Sequence, residues 1–302
     1  MEKYANLASY LLVDVVAQRS RPTGHALNPV PVTEAMRIPD VDEIVDAHLF
    51  ANRLIQRAEG FGPLLDLEAA ERTADRLVEA GQRFKERVMG GLSDAGIDTA
   101  NPFELLLALR RIGARRLEEQ FGPGQSQEGQ LRGRVPVVRA TTVAALEIQG
   151  AGIASFLSQS DRETIRRAGF TACVTCTDVH EYGKLLLEAV LRRLGVQVVD
   201  AGVSADPDAV AGQARAAAAD LVAVSTYNGV ALDYLQTLRQ EMARAGLDLP
   251  IFIGGRLNQV PDGSPSSMPV DVTGELEALG AVVCQRVDDM LETLVEMAQE
   301  RA

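Results

Sequence analysis

Tryptophan is missing from this 302-residue chain, aromatic residues make up only 4% of it, and histidine occurs three times. Platforms that stack bases or sugar rings are built from aromatic side chains, so such platforms would be poor here. Positive charge is scarce too: 30 Lys and Arg stand against 42 Asp and Glu, a net charge of −12. Duplex binding draws on a basic surface that releases counterions, which argues against a nucleic-acid partner. Three cysteines are an odd number and low usage, as expected of a reducing, cytoplasmic setting. No apolar run reaches the roughly 18 residues of a membrane span. The N-terminal apolar stretch carries Glu2 and Asp14, and no small-residue cleavage site follows it, so no membrane association or secretory leader is expected.

What is present divides in two. Residues 122–134 hold four Gly, one Pro and three Gln without apolar periodicity, which reads as a linker. Downstream, short β-rich apolar runs (Phe170–Cys176, Val196–Val199, Leu221–Ser225, Ile251–Gly254 and Ala281–Cys284) alternate with helical stretches near 183–195, 207–218, 231–246, 272–279 and 286–300. Leu232, Leu235, Leu238 and Met242 keep the three-to-four spacing of a helix face, and Asp206-Pro207 is a helix start. Five such alternations predict an α/β domain over 168–302: a doubly wound, flavodoxin-like, five-stranded parallel sheet.

Upstream, residues 1–121 are mainly helical by pattern, and 122–167 serve as linker and connecting segment. Leu11–Val16 reads as a single strand. Pro102 opens a helix through FELLLALRRIGARRLEEQF, with Leu105, Leu109 and Ile112 along one side. Residues 18–39 contain four of the thirteen prolines and no periodicity, the composition of a functional or partner-bound loop. One strand and several helices do not close a domain.

In open α/β sheets ligands bind beyond the carboxyl ends of the strands. Three segments fall there: Thr177-Asp178-Val179-His180-Glu181-Tyr182-Gly183-Lys184 after the first strand, Ser225-Thr226-Tyr227-Asn228-Gly229 after the third, and Gly254-Gly255-Arg256-Leu257-Asn258 after the fourth. A neutral imidazole suits a borderline transition metal, and a carboxylate two residues earlier can fix its tautomer. Each element also has a plainer reading: His180 as a surface-loop histidine, Ser225 and Tyr227 as polar strand ends, Gly254-Gly255 as an ordinary turn. Cys173 and Cys176 have CxxC spacing but sit inside a strand, where the two thiols face opposite ways, and no second pair completes a zinc site. Neither a P-loop nor a G-x-G-x-x-G turn nor a G-x-S-x-G elbow occurs.

Together, Asp178-x-His180-x-x-Gly183, Ser225 and Gly254-Gly255 resemble the cobalamin-binding domain over about residues 168–300, with Tyr227 where that family usually has leucine. The resemblance implies a cobalt-containing cofactor whose dimethylbenzimidazole tail leaves the metal. By the same resemblance His180 would be the axial ligand, with Asp178 as its orienting partner. The tail then enters a slot bordered by Gly183, Gly254 and Gly255, with Ser225 as hydroxyl partner and Gly202-Val203-Ser204 as a second lip. Thr177, Val179, Glu181, Tyr182, Thr226, Tyr227 and Arg256 would complete the cofactor contacts.

Residues 1–123 resemble the carboxyl-terminal portion of the glutamate mutase large subunit, through Leu11–Val16, the Pro-rich loop, the helix after Ile38-Pro39-Asp40 and Phe103–Phe121 followed by Gly122-Pro123-Gly124. A barrel of about 250 residues does not fit beside the α/β domain. This resemblance therefore implies the cobalamin-bearing subunit of an adenosylcobalamin-dependent mutase, inactive alone, in a heteromer with a barrel-bearing subunit and acting on a small acid. His25, Asn28, Thr33 and Glu34 could reach that interface. The alternative is a corrinoid carrier of a methyltransferase or a non-catalytic cobalamin-binding module.

Overall fold

A computed structural model describes residues 2–24, 28–34, 39–127, 130, 133–260 and 269–301. The chain forms two compact units, Met1–Gly91 and Leu92–Ala302. Among the described residues no helix is long and apolar enough to cross a membrane.

The first unit contains helices α1 (Glu2–Ser20) and α2 (Val41–Phe61), a 3-10 turn (Gly62–Leu64), and most of α3 (Glu68–Asp94). The expected strand Leu11–Val16 is instead the middle of α1. Leu7, Leu11 and Val15 recur every four residues and are buried, Leu7 and Leu11 with Ala51 and Val15 with Ala58 of α2. That is one face of a helix rather than a strand buried on both sides. Asp40 starts α2 through a capping box with Glu43. Of the Pro-rich segment, Asn28, Thr33 and Glu34 are non-helical, whereas His25 lies outside the described residues.

The second unit opens with α4 (Pro102–Ile112) and α5 (Ala114–Phe121). The single helix expected here is broken at Gly113, whose φ of 79° and ψ of 150° no helix accommodates. The Arg134 guanidinium then donates to the carbonyls of Glu119, Gln120 and Gly124 at 2.8–2.9 Å, tying the Gly-rich linker to the end of α5. Two helices follow inside what reads as connecting sequence, α6 (Thr141–Ser155) and α7 (Gln159–Ala168). Gly150 lets α6 approach the later helix Tyr182–Arg193 closely: a Cβ there would stand 3.2 Å from that of Ala189. Ser158 caps α7 by accepting from the Asp161 N–H.

The remainder alternates as expected: β1 (Thr171–Cys176), α8 (Tyr182–Arg193), β2 (Gln197–Val203), α9 (Pro207–Ala216), β3 (Leu221–Thr226), α10 (Ala231–Arg244), β4 (Ile251–Gly255), the short pair β5 (Asn258–Gln259) and β6 (Val270–Asp271), α11 (Thr273–Ala278), β7 (Val282–Cys284) and α12 (Val287–Arg301). The five-stranded sheet has the order β2-β1-β3-β4-β7 and is parallel throughout. One face packs on α6, α7, α8 and α12 through Leu146, Ile165, Val190, Leu191 and Leu294. The other packs on α9, α10 and α11 through Val210, Leu235, Leu238 and Leu276. Chain direction across the sheet reverses between β1 and β3, so the loops after these two strands flank the topological switch point.

Beneath β2 lies a charged cluster. The Lys184 ammonium, 1% exposed, is 2.7 Å from both Glu188 and Asp200. The far oxygen of Asp200 is 3.0 Å from the Arg115 guanidinium of α5, and Glu188 is 3.2 Å from Arg192. Asp200 also accepts from the Gly202 N–H at 2.8 Å. Burial alone would raise the Asp200 carboxyl, but these partners outweigh it and hold it below the usual carboxylate range.

Candidate functional site

The loop from Thr177 to Glu181 leaves β1 at the switch point and is organised around one buried carboxylate. Asp178 is 6% exposed. Its Oδ1 accepts from the His180 N–H at 2.7 Å and lies 2.6 Å from His180 Nδ1. Its Oδ2 accepts from the N–H groups of Tyr227 at 3.0 Å and Asn228 at 3.2 Å, and the Thr177 hydroxyl is also 3.2 Å away. Burial pushes the carboxyl up, but the donors from His180 and Thr177 pull harder, so it sits below its ordinary value. An ionised carboxylate can only accept, so Nδ1 carries a ring proton, and in the neutral form of the ring the lone pair is then on Nε2. The sequence thus places, two residues apart, a half-exposed imidazole and the buried carboxylate that orients it.

The neighbours of the loop come from β3 and the turn after it, from the turn after β4, and from α6. The Tyr227 ring lies against His180 with centroids 4.5 Å apart and planes tilted by 37°. The Arg256 guanidinium stands 5.6 Å from the centre of the Tyr227 ring. The Thr177 and Thr226 hydroxyls are 3.1 Å apart, and the Thr177 N–H donates to the Ser225 carbonyl at 3.0 Å. Tyr182 donates to Gln149 of α6 at 2.9 Å, while Val179 is 70% exposed beside His180.

A cavity of about 200 Å³ opens among α8, α12 and the carboxyl ends of β3, β4 and β7. Gly183, Ser225, Gly254 and Gly255 all line it, joined by Leu186 and Phe252. At Gly183 a Cβ would stand 2.7 Å from Ser225 Oγ, so the absent side chain keeps that hydroxyl and the cavity wall clear.

Gly202, Val203 and Ser204 are not part of this cavity. They lie across β1, on β2 and its following turn, where the Ser204 N–H donates to the Asp178 carbonyl at 3.2 Å. They buttress the His180 loop. Gly254 and Gly255 are required by the sheet as well as by the cavity. A Cβ on Gly254 would meet the Cys284 carbonyl at 2.7 Å, and one on Gly255, whose φ is 110°, would run into the Thr226 carbonyl. Finally, Cys284, Gln285, Arg286 and Met290 line the cavity without having been singled out in sequence. No local motif marks them. Leu186 and Leu187, three and four residues beyond Gly183, could have been placed by helical spacing.

Cys173 and Cys176 are packed into the domain, whereas Cys284 lines the cavity. Cys173 packs in the core on the α9 side and its thiol is pushed up to about 12 by burial, while Cys176 lies 3.5 Å from the His180 carbonyl.

Residues 171–282 match the family described as "B12 binding domain". A methionine synthase of Mycobacterium tuberculosis is 27% identical over 252 residues, 76% of this chain and 20% of that protein. Glutamate mutase sigma subunit 1 of Haloarcula marismortui is 33% identical over 81 residues, 27% of this chain and 54% of that protein. The chain thus spans about a fifth and about half of these curated relatives. Among solved structures, a novel cobalamin-binding protein from Desulfitobacterium hafniense DCB-2 aligns at 16% identity with a TM-score of 0.37, covering 74% of this chain and 97% of that one. The family match covers nothing before residue 171, so the resemblance of residues 1–123 to a mutase large subunit gains no support from it. From residue 171 to residue 282, this chain is thus similar to the B12 binding domain family.

Proposed function

We propose that the chain carries cobalamin with His180 as the axial ligand of cobalt, and that it presents the cofactor to a separate subunit. The observation that carries this reading is the 2.6 Å contact between His180 Nδ1 and a carboxylate held on both oxygens, which leaves Nε2 as the lone-pair nitrogen. The residues present fit the group. A glycine-lined cavity lies beside the His180 loop, and Ser225 supplies a hydroxyl in its wall for a ring nitrogen of the displaced base. Asp178 keeps the proton on Nδ1 and raises the basicity of Nε2. When bound, the cofactor supplies cobalt–carbon bond chemistry, and the protein's part is to bind, orient and shield it.

For the use made of that chemistry we favour the cobalamin-bearing subunit of an adenosylcobalamin-dependent mutase with a barrel-bearing partner and a small acid as substrate. The 33% identity to a glutamate mutase sigma subunit supports this, as does the exposure of Val41, Ile44, Val45 and Leu49 along α2, apolar surface that a partner would cover. The second reading is a corrinoid carrier in methyl transfer, favoured by the longer alignment with methionine synthase. Reconstitution with a barrel-bearing partner separates them. Hydrogen exchange into substrate with adenosylcobalamin supports the mutase. Methyl transfer from methylcobalamin without such exchange replaces it with the carrier.

A further inference from the structure

Tyr227 stands where the cobalamin-binding pattern usually has leucine, and its ring does something a leucine could not. It lies against the His180 imidazole at a centroid separation of 4.5 Å. The same residue's N–H donates to Asp178 Oδ2 at 3.0 Å, so backbone and side chain of one residue touch both members of the His180–Asp178 pair. The far side of this arrangement is also fixed. Arg256, whose N–H donates to the Thr226 carbonyl at 2.8 Å, places its guanidinium 5.6 Å from the Tyr227 ring centre. A cation over an aromatic face is attracted by the ring quadrupole and restrains the ring.

An imidazole hydrogen-bonded only through Nδ1 can still rock about that bond. Metal ligation by Nε2 requires one ring plane, so the rocking costs affinity each time the metal is bound. We propose that Tyr227 is a positioning residue for the axial ligand: its ring, steadied by Arg256, holds the His180 imidazole in the plane that ligation needs. This rests on the reading of His180 as the cobalt ligand. Tyr227 is half exposed, so its replacement does not open the core.

The test uses the full chain with cob(II)alamin and two readouts: the dissociation constant, and the fraction of bound cobalt showing coupling to a histidine nitrogen by electron paramagnetic resonance. Tyr227→Leu should weaken binding by roughly three- to tenfold, the contribution of one aromatic pair. It should also lower the nitrogen-coupled fraction of the cobalamin that remains bound, with the thermal unfolding midpoint unchanged. Tyr227→Phe, which keeps the ring, should retain both. Wild-type affinity and coupling in Tyr227→Leu would overturn the proposal, and so would an equal loss in Tyr227→Phe, which would assign the effect to the hydroxyl. Absence of nitrogen coupling in the unmutated protein would instead overturn the reading of His180 itself, and this inference with it.

Discussion

Asp178 and His180 are joined twice through a single oxygen: Oδ1 accepts the His180 N–H at 2.7 Å and sits 2.6 Å from its ring Nδ1. The backbone bond fixes where the histidine is, and the side-chain bond fixes which nitrogen it offers. Asp178→Asn would keep the shape but replace the charge-assisted acceptor with an amide. Cobalamin affinity measured by spectrophotometric titration should fall by about 10–100-fold, the range for losing an orienting partner of a ligating histidine. Unchanged affinity would mean that the carboxylate only shapes the loop.

Gly183 gives a clean test of the cavity. It lies in the first turn of α8, where alanine is intrinsically favoured over glycine by about 1 kcal/mol, so the fold should survive. The added Cβ would press on Ser225 Oγ and narrow the cavity. Gly183→Ala should therefore fold normally and bind cobalamin more weakly, by circular dichroism and titration respectively. Gly255→Val is expected to behave differently. Its Cβ would collide with backbone of β3 at a φ of 110°, so the yield of folded protein should drop before binding can be assayed.

How far the sequence led can be seen in these same residues. Strands β1, β3 and β4 were legible because each is a short apolar run buried on both faces, and the three motif elements end them. The last four residues of β2 were not, because Asp200 reads as the end of a strand until Lys184 and Arg115 are seen to neutralise it from elements far away in the chain. Helix α6 was missed because Gly150 and Gly152 lower its propensity, although Gly150 is what permits its packing on α8. Leu11–Val16 was misread because a dense apolar cluster satisfies strand and helix patterns alike until length decides. Asp178 contacts His180, and Gly183, Ser225, Gly254 and Gly255 line one cavity, whereas Gly202 does not. The cavity wall from β7 and α12 depends on tertiary packing and leaves no local trace.

The buried cluster around Asp200 should give the protein a pH-dependent stability with a definite sign. The carboxyl is depressed in the folded state, so its contribution is present above the ordinary carboxylate range and is lost as pH falls through the depressed value. Thermal melts of the wild type should therefore decline on acidification. Asp200→Asn, which leaves Lys184 with Glu188 alone and Arg115 with Glu119, should lower the melting midpoint near neutrality and show a shallower acid decline. Parallel declines in both proteins would exclude Asp200 as the group responsible.

The thiols should be inert. Burial pushes Cys173 and Cys284 up to about 12 and raises Cys176 as well. At pH 8 a disulfide reagent should label Cys173 only after the chain is unfolded. Prompt labelling of Cys173 in the native protein would contradict its place in the core.

Electron paramagnetic resonance of cob(II)alamin bound to the chain, with histidine nitrogens isotopically labelled, bears most directly on the assignment of His180 as the cobalt ligand. The expected result is a splitting that changes with the label in the wild type and vanishes in His180→Ala, with any cobalamin still bound lacking a nitrogen ligand from histidine. A label-dependent splitting that persists in His180→Ala, or a wild-type spectrum without one, would contradict the account.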